Sequence, residues 1–223
     1  MKKINSLLIL AAFSMMAVSC DKNDNPSDPK TTGDNISIDA SSYTSWTYLD
    51  FETGKTETHE SFDDCYYTGD ASTVAGTGDE STDVTIDWDI AFHRYEVRTN
   101  GGSAIKTSYT SIDDVVDVPT SGYTADKIIT YDDYADGYYI IMDMSGMMTG
   151  SIGYATNAAY NTLLSAVVER TGSMGSYVYT PSDYVYVIQS VDGGVTKVKW
   201  TAATNSTGDT GHVTVEYEHT YTE

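Results

Sequence analysis

Along four stretches of the chain apolar and polar residues alternate with period two, which restricts the fold to strands with one buried face. His212 to Tyr221, "HVTVEYEHTY", alternates most cleanly: Val213, Val215, Tyr217, His219 and Tyr221 share a side. Tyr184 to Trp200, "YVYVIQSVDGGVTKVKW", reads as a hairpin, with Asp192-Gly193-Gly194 supplying the positive-φ turn. Val84 to Arg98, "VTIDWDIAFHRYEVR", reads as one long strand or two joined ones, and Ile36 to Phe51 opens the domain with strand-like ends. Nineteen tyrosines suit sheets whose aromatic side chains pair across strands. The expectation is an all-β domain of antiparallel sheets.

One segment breaks the rhythm. In "TNAAYNTLLSAVVERTG", Tyr160, Leu163, Leu164, Val167 and Val168 recur at helical spacing, Thr156 or Asn157 can cap the start and Gly172 the end. This predicts one short amphipathic helix. The hydrophilic stretches from Thr68 to Thr82 and from Thr201 to Gly211 read as surface loops.

The N-terminus sets the compartment. Lys2 and Lys3 precede an apolar run from Leu7 to Val18, too short to span a bilayer comfortably. Ala17-Val18-Ser19-Cys20 makes a lipobox, so cleavage would leave a lipidated Cys20; an ordinary secretory leader abutting a cysteine is the alternative. Residues 1–19 are thus expected to be a lipoprotein signal peptide, and 20–35 a lipidated cysteine and flexible linker with no apolar residue beyond that cysteine. Residues 36–223 are expected to form a single domain. Cys65 is the other cysteine, so no disulfide is expected and Cys65 reads as a small buried thiol. The formal charge of −21 becomes −23 once residues 1–19, with two lysines and no acid, are removed. So acidic a chain excludes nucleic acid as a partner and limits membrane contact to the lipid anchor.

No catalytic constellation stands out, and the chain is not expected to be an enzyme. His59, His93, His212 and His219 lack helical metal-ligand spacing, and His93, inside a patterned strand, reads as a hydrogen-bonded structural residue. "DDYADG", Asp132 to Gly137, has the acids of a calcium loop but Tyr134 at a ligand position, and reads as an acidic turn. The methionines are the anomaly. Outside the leader all five, Met142, Met144, Met147, Met148 and Met174, lie within 33 residues. Gly146 breaks the strand that carries Met142 and Met144 on the face of Ile140, Met147-Met148 follow at the turn, and Met174 sits between glycines in "RTGSMGSY". A thioether is a soft, neutral ligand suited to copper(I) or haem iron. From the residues alone, a Met-rich patch for a partner, or a mobile core, is the more ordinary reading.

"DWDIAFHRYEVRTNGG", Asp87 to Gly102, closely resembles a signature segment of the HmuY family, haem-binding lipoproteins of Bacteroidetes. "ISIDASSYTSWTYLDFETGK", "VPTSGYT" and "VYVIQSVDGGVTKVKW" resemble the family's opening strand, middle and late hairpin. The resemblance implies a β-rich, hand-like fold clasping one haem b between two loop-bearing fingers. It implies a hemophore that passes haem to a TonB-dependent receptor, placed in the outer membrane, at the cell surface and also shed. One branch of the family ligates iron with two histidines, at positions near Tyr138 and Gly172 here, and neither is histidine. Other members use two methionines, and this chain has its methionines in the two matching regions. The implied axial ligands are Met174 and Met147, with Met148 and then Met144 as substitutes for Met147; Tyr138, Tyr177 and Tyr179 are candidate pocket residues. The competing reading is a surface glycan-binding or adhesive lipoprotein, with Trp46, Trp88 and Trp200 as stacking platforms.

Overall fold

The computed structural model describes residues 30–221, with side chains from residue 33. The expected signal peptide, Cys20 and most of the expected linker lie outside the described residues. Within them, no helix is long and apolar enough to cross a membrane.

Strands Lys30–Asp39, Thr210–Tyr221, Val195–Thr204, Tyr186–Gln189, Ser103–Lys106 and Thr124–Ala125 form one antiparallel sheet in that order. Pairing begins at Lys30, ahead of the domain start expected at residue 36, because the edge of Thr210–Tyr221 takes up backbone groups whatever the side chains are. The hairpin read around Asp192-Gly193-Gly194 is present: Tyr186–Gln189 pairs with Val195–Thr204 and Gly193 holds φ 96. Of the segment from Val84 to Arg98, strands Ile90–His93 and Glu96–Thr99 form a second hairpin. They belong to a four-stranded sheet with Ser45–Leu49 and Thr56–Glu60.

That second sheet is covered on both faces, which explains the near-continuous burial of Ser45–Leu49 and Ile90–His93. Alternate residues serve different neighbours. Leu49, Ile90 and Phe92 pack with Tyr186, Ile188, Trp200 and Val215 of the six-stranded sheet. Trp46, Tyr48 and Ala91 turn the other way, onto Ile129, Ile140, Met142 and Ala155. The latter belong to a third layer of short strands, including the sheet Ile141–Asp143, Gly153–Thr156, Asp64–Tyr67 and Ser72–Val74. Cys65 sits in that layer, free and only half-buried, with its thiol pKa pushed up by burial. The stretch expected as a loop from Thr68 to Thr82 carries the strand Ser72–Val74 and the start of the one-turn helix Glu80–Asp83.

The amphipathic helix expected over 156–172 does not form. Ala158–Tyr160 is a strand paired with Lys127–Ile129, Leu164–Ala166 is a single 3-10 turn, and Val168–Thr171 is a strand paired with Val178–Pro181. Leu164 and Val167 still reach the core, but through a turn. Buried Asn161 initiates that turn: its Oδ1 accepts the amides of Leu163 and Leu164, while its Nδ2 donates to Asp126 and Thr124. Backbone pairing on both sides outweighs the weak helix preference of Val167-Val168.

Candidate functional site

The ribbon Val168–Thr171/Val178–Pro181 stands beside the strand segment that leads into the methionine loop. Between them opens a cleft of about 200 Å³. One wall is Tyr139 and Ile141; the other is Val168, Arg170 and Tyr179; Tyr43 and the turn His93 to Glu96 make the floor. Strand alternation sets this lining. Ile140 and Met142 are buried behind the first wall, so Tyr139 and Ile141 face outward from it. Arg170 and Tyr179 are directly opposite each other in the ribbon, so they share its cleft-facing side.

Each wall continues into a methionine-bearing loop. After Asp143, whose side chain accepts the Ser145 amide, the chain makes a compact turn of its own hydrogen bonds. Met147 N donates to Met144 O at 3.0 Å, and Ser151 N to Gly146 O at 2.9 Å. Hydrogen bonds from Ser145, its amide first, and then from Tyr67 hold the carboxyl of Asp143 below its ordinary range. Met147 and Met148 ride on the 3-10 turn Met147–Thr149, 42% and 89% exposed, whereas Met144 is half-buried. At the ribbon's tip Ser176 N donates to Ser173 O at 2.8 Å, and Gly175, at φ 87, allows the reversal that leaves Met174 86% exposed. Neither Met147 nor Met174 lines the cleft itself. They project from the loops that extend its two walls.

The remaining sequence candidates divide. Tyr177, just ahead of the strand Val178–Pro181 and outside the cleft lining, stands 41% exposed beneath the Arg170 guanidinium, 4.8 Å from its ring centre. Tyr179 stacks on Tyr95 with ring centres 4.5 Å apart. Tyr138 turns away from the cleft to Tyr160 and Lys127, and its neighbour Tyr139 takes the lining position. His93 lines the floor but is held: Nε2 lies 2.7 Å from Tyr43 O and Nδ1 3.3 Å from Glu96. The Tyr95 hydroxyl donates to Ala203 O and accepts from Gly211 N, and burial raises its pKa, keeping it a neutral phenol. The acidic turn at residues 131–136 is a 3-10 turn whose Asp133 accepts from Lys127 Nζ at 2.9 Å and from the Thr130 amide. Sequence reasoning missed Tyr43, Arg94, Tyr139 and Arg170. Only Tyr139 and Ile141 had a usable signal, as the face opposite Ile140 and Met142.

The family model for the HmuY protein matches residues 42–217. The chain belongs to the HmuY family. Among solved structures, the apo HmuY analog of Tannerella forsythia is 32% identical with a TM-score of 0.77, covering 88% of this chain and 100% of that one. A HmuY-like protein of Bacteroides vulgatus, described as heme binding, is 31% identical with a TM-score of 0.64, covering 83% and 90%. Apo PinO of Porphyromonas matches at 24% identity and a TM-score of 0.74, over 87% and 100%, a likeness of fold. No curated protein is significantly similar to the chain. The family's β-rich architecture is thus present here over the whole matched region, and the cleft and both methionine loops fall within residues 42–217.

Proposed function

We propose that this HmuY-family protein binds haem b across the cleft, with Met147 and Met174 as the two axial ligands. The observation that carries the reading is the pair of loops that continue opposite walls and expose thioethers. Met174, 86% exposed, and Met147, 42% exposed, lie outside the core clusters, which supports a role toward a ligand. The donor set fits the group: the rings of Tyr43, Tyr95, Tyr139, Tyr177 and Tyr179 offer apolar contact to a macrocycle, and the thioethers offer soft, neutral ligation. The cleft volume of about 200 Å³ is below the roughly 300–1,000 Å³ common for enclosed small-molecule sites, so a porphyrin would extend past the lining onto the loops. When bound, iron held by two thioethers favours its reduced state. Met148 is the substitute for Met147; Met144, half-buried, ranks behind it.

In this reading the protein is a lipid-anchored hemophore of the outer membrane, displayed at the surface and also shed. It captures haem without transforming it and passes it to a TonB-dependent receptor. The glycan-binding alternative loses its platforms, because Trp46 and Trp200 are core residues and Trp88 packs edge-on against Tyr48. Absorbance titrations with haem, run once with dithionite and once without, test the proposal. The expected result is a Soret shift with tighter binding of ferrous than ferric haem. Equal affinity in both states, or no shift, would overturn methionine ligation.

A further inference from the structure

The chain has three arginines, and two of them, Arg94 and Arg170, line this one cleft. In a protein with 33 acidic and 12 basic residues, guanidinium groups would be expected to find carboxylates. Among the described residues, the arginine ion pairs involve Arg98 alone. Glu96, the acid in the cleft lining, lies instead against His93 Nδ1.

Arg94 is held in place without being neutralised, and Arg170 is exposed with its guanidinium over an aromatic ring. Arg94 is the first residue of the two-residue turn between paired His93 and Glu96, at φ 53, a conformation usually left to glycine in such turns. Its Nη1 donates to Ser41 O at 2.7 Å, its Nη2 donates to Thr210 Oγ1 at 2.8 Å, and its guanidinium lies over the Tyr43 ring at 4.3 Å. A guanidinium has five N–H donors, so donors remain for a ligand. Arg170, on the ribbon wall, rests on Tyr177, and the stacked pair Tyr95–Tyr179 joins the chain neighbour of Arg94 to the strand partner of Arg170. The result is a cleft of aromatic rings with one cation at its floor and one on its wall, neither in an ion pair among the described residues. Guanidinium is the side chain best matched to a planar carboxylate, through two parallel hydrogen bonds.

We infer that Arg94 and Arg170 receive the two carboxylate arms of a flat aromatic ligand, so that the cleft selects a porphyrin by its propionates, independently of the metal. This rests on the haem reading above and names the part of haem that this end of the site recognises. Local attraction of this kind operates against the long-range repulsion between a dianionic ligand and a chain of charge −21.

The test uses metal-free porphyrins, which bypass axial ligation. Protoporphyrin IX and its dimethyl ester are titrated into the protein and followed by quenching of tryptophan fluorescence. The diacid is expected to bind at least about tenfold more tightly than the ester, the discrimination typical of charge-assisted hydrogen bonds. Arg170→Gln is expected to remove most of that preference while the absorption spectrum of bound haem keeps the wild-type axial signature. Arg94→Lys, which keeps the charge but loses the planar fork and its bonds to Ser41 O and Thr210 Oγ1, is expected to weaken the preference partially and to lower the melting temperature, so Arg170→Gln, at an exposed side chain, carries the decision. Equal binding of diacid and ester by a protein that still binds haem would overturn the arginine proposal alone. The same holds for a preference untouched by Arg170→Gln. If neither porphyrin nor haem binds, the haem reading itself falls.

Discussion

Two regions of this molecule are built from the same ingredients and behave differently. Around Arg98 the chain assembles Trp46, Tyr48 and Trp88 with the acids Asp63 and Glu80; around Arg94 and Arg170 it assembles Tyr43, Tyr95 and Tyr179 with Glu96. In the first, the guanidinium lies 4.1 Å over Trp46, is 3% exposed, and meets Asp63 at 3.5 Å and Glu80 more closely still. The Tyr48 hydroxyl donates to Glu80 at 2.6 Å and accepts from Arg98 at 2.8 Å, so the guanidinium's charge is met inside the fold although its Nε has no partner. Burial raises the Asp63 pKa, and Arg98 works against that rise. In the second region the cations have aromatic faces and carbonyls but no carboxylate among the described residues. A charge neutralised inside the fold supports structure; a cation held in place and left unneutralised at a cleft is available to a ligand.

The comparison can be broken most directly at Arg98. Arg98→Met would leave Asp63 and Glu80 without their counter-charge and is expected to lower stability by about 3–5 kcal/mol. Urea unfolding followed by tryptophan fluorescence measures it, and a midpoint like the wild type's would show that the buried group is not structural. The methionines sharpen the same contrast. Met142, 4% exposed against Ile140 and Trp46, should cost about 2–5 kcal/mol on replacement by alanine. Met147→Ala with Met174→Ala should change stability by no more than about 0.5 kcal/mol for each site. The same double variant should lose about tenfold or more in ferrous-haem affinity, about 1.4 kcal/mol, in an absorbance titration. A large melting shift with intact haem binding would reverse the roles given to the two sets.

The smallest effect concerns pH. The Glu57 carboxyl is pulled from its ordinary 4.5 down to about 2, first by the hydroxyl and amide of Thr85 and then by His59. A folded-state pKa below the unfolded one contributes stability above about pH 4.5, and that contribution disappears as pH falls toward 2. Glu57→Gln should therefore be less stable than wild type at neutral pH and converge with it in acid. Its haem binding should be unchanged, since Glu57 lies on the edge strand Thr56–Glu60, outside the cleft lining. Parallel stability curves across the pH range would contradict the assignment.

Local sequence read the fold well where the decisive interactions are local. The turn at Asp192-Gly193-Gly194 needs only glycine's freedom at positive φ, and the alternation of Val213 to His219 needs only one buried face. The reading of 156–172 failed for the converse reason. The helical spacing of Leu163, Leu164 and Val167 is real, but strand partners at Lys127–Ile129 and Val178–Pro181 claim the backbone on either side. Tyr139 rather than Tyr138 lines the cleft because the segment turns one face to the core and the other to the cleft, and the buried Ile140 and Met142 fix which is which.

The sequence by itself determined the β-rich class, the late hairpin, the family resemblance and the two glycine-flanked positions of the methionines, because each is written in neighbouring residues. Packing of distant segments sets which arginine is neutralised and which tyrosines line the cleft. The cleft takes residues from Tyr43, the 93–96 turn, the 139–141 strand segment and the 168–179 ribbon. Only packing of the three layers brings such distant stretches together, and no local pattern encodes their convergence.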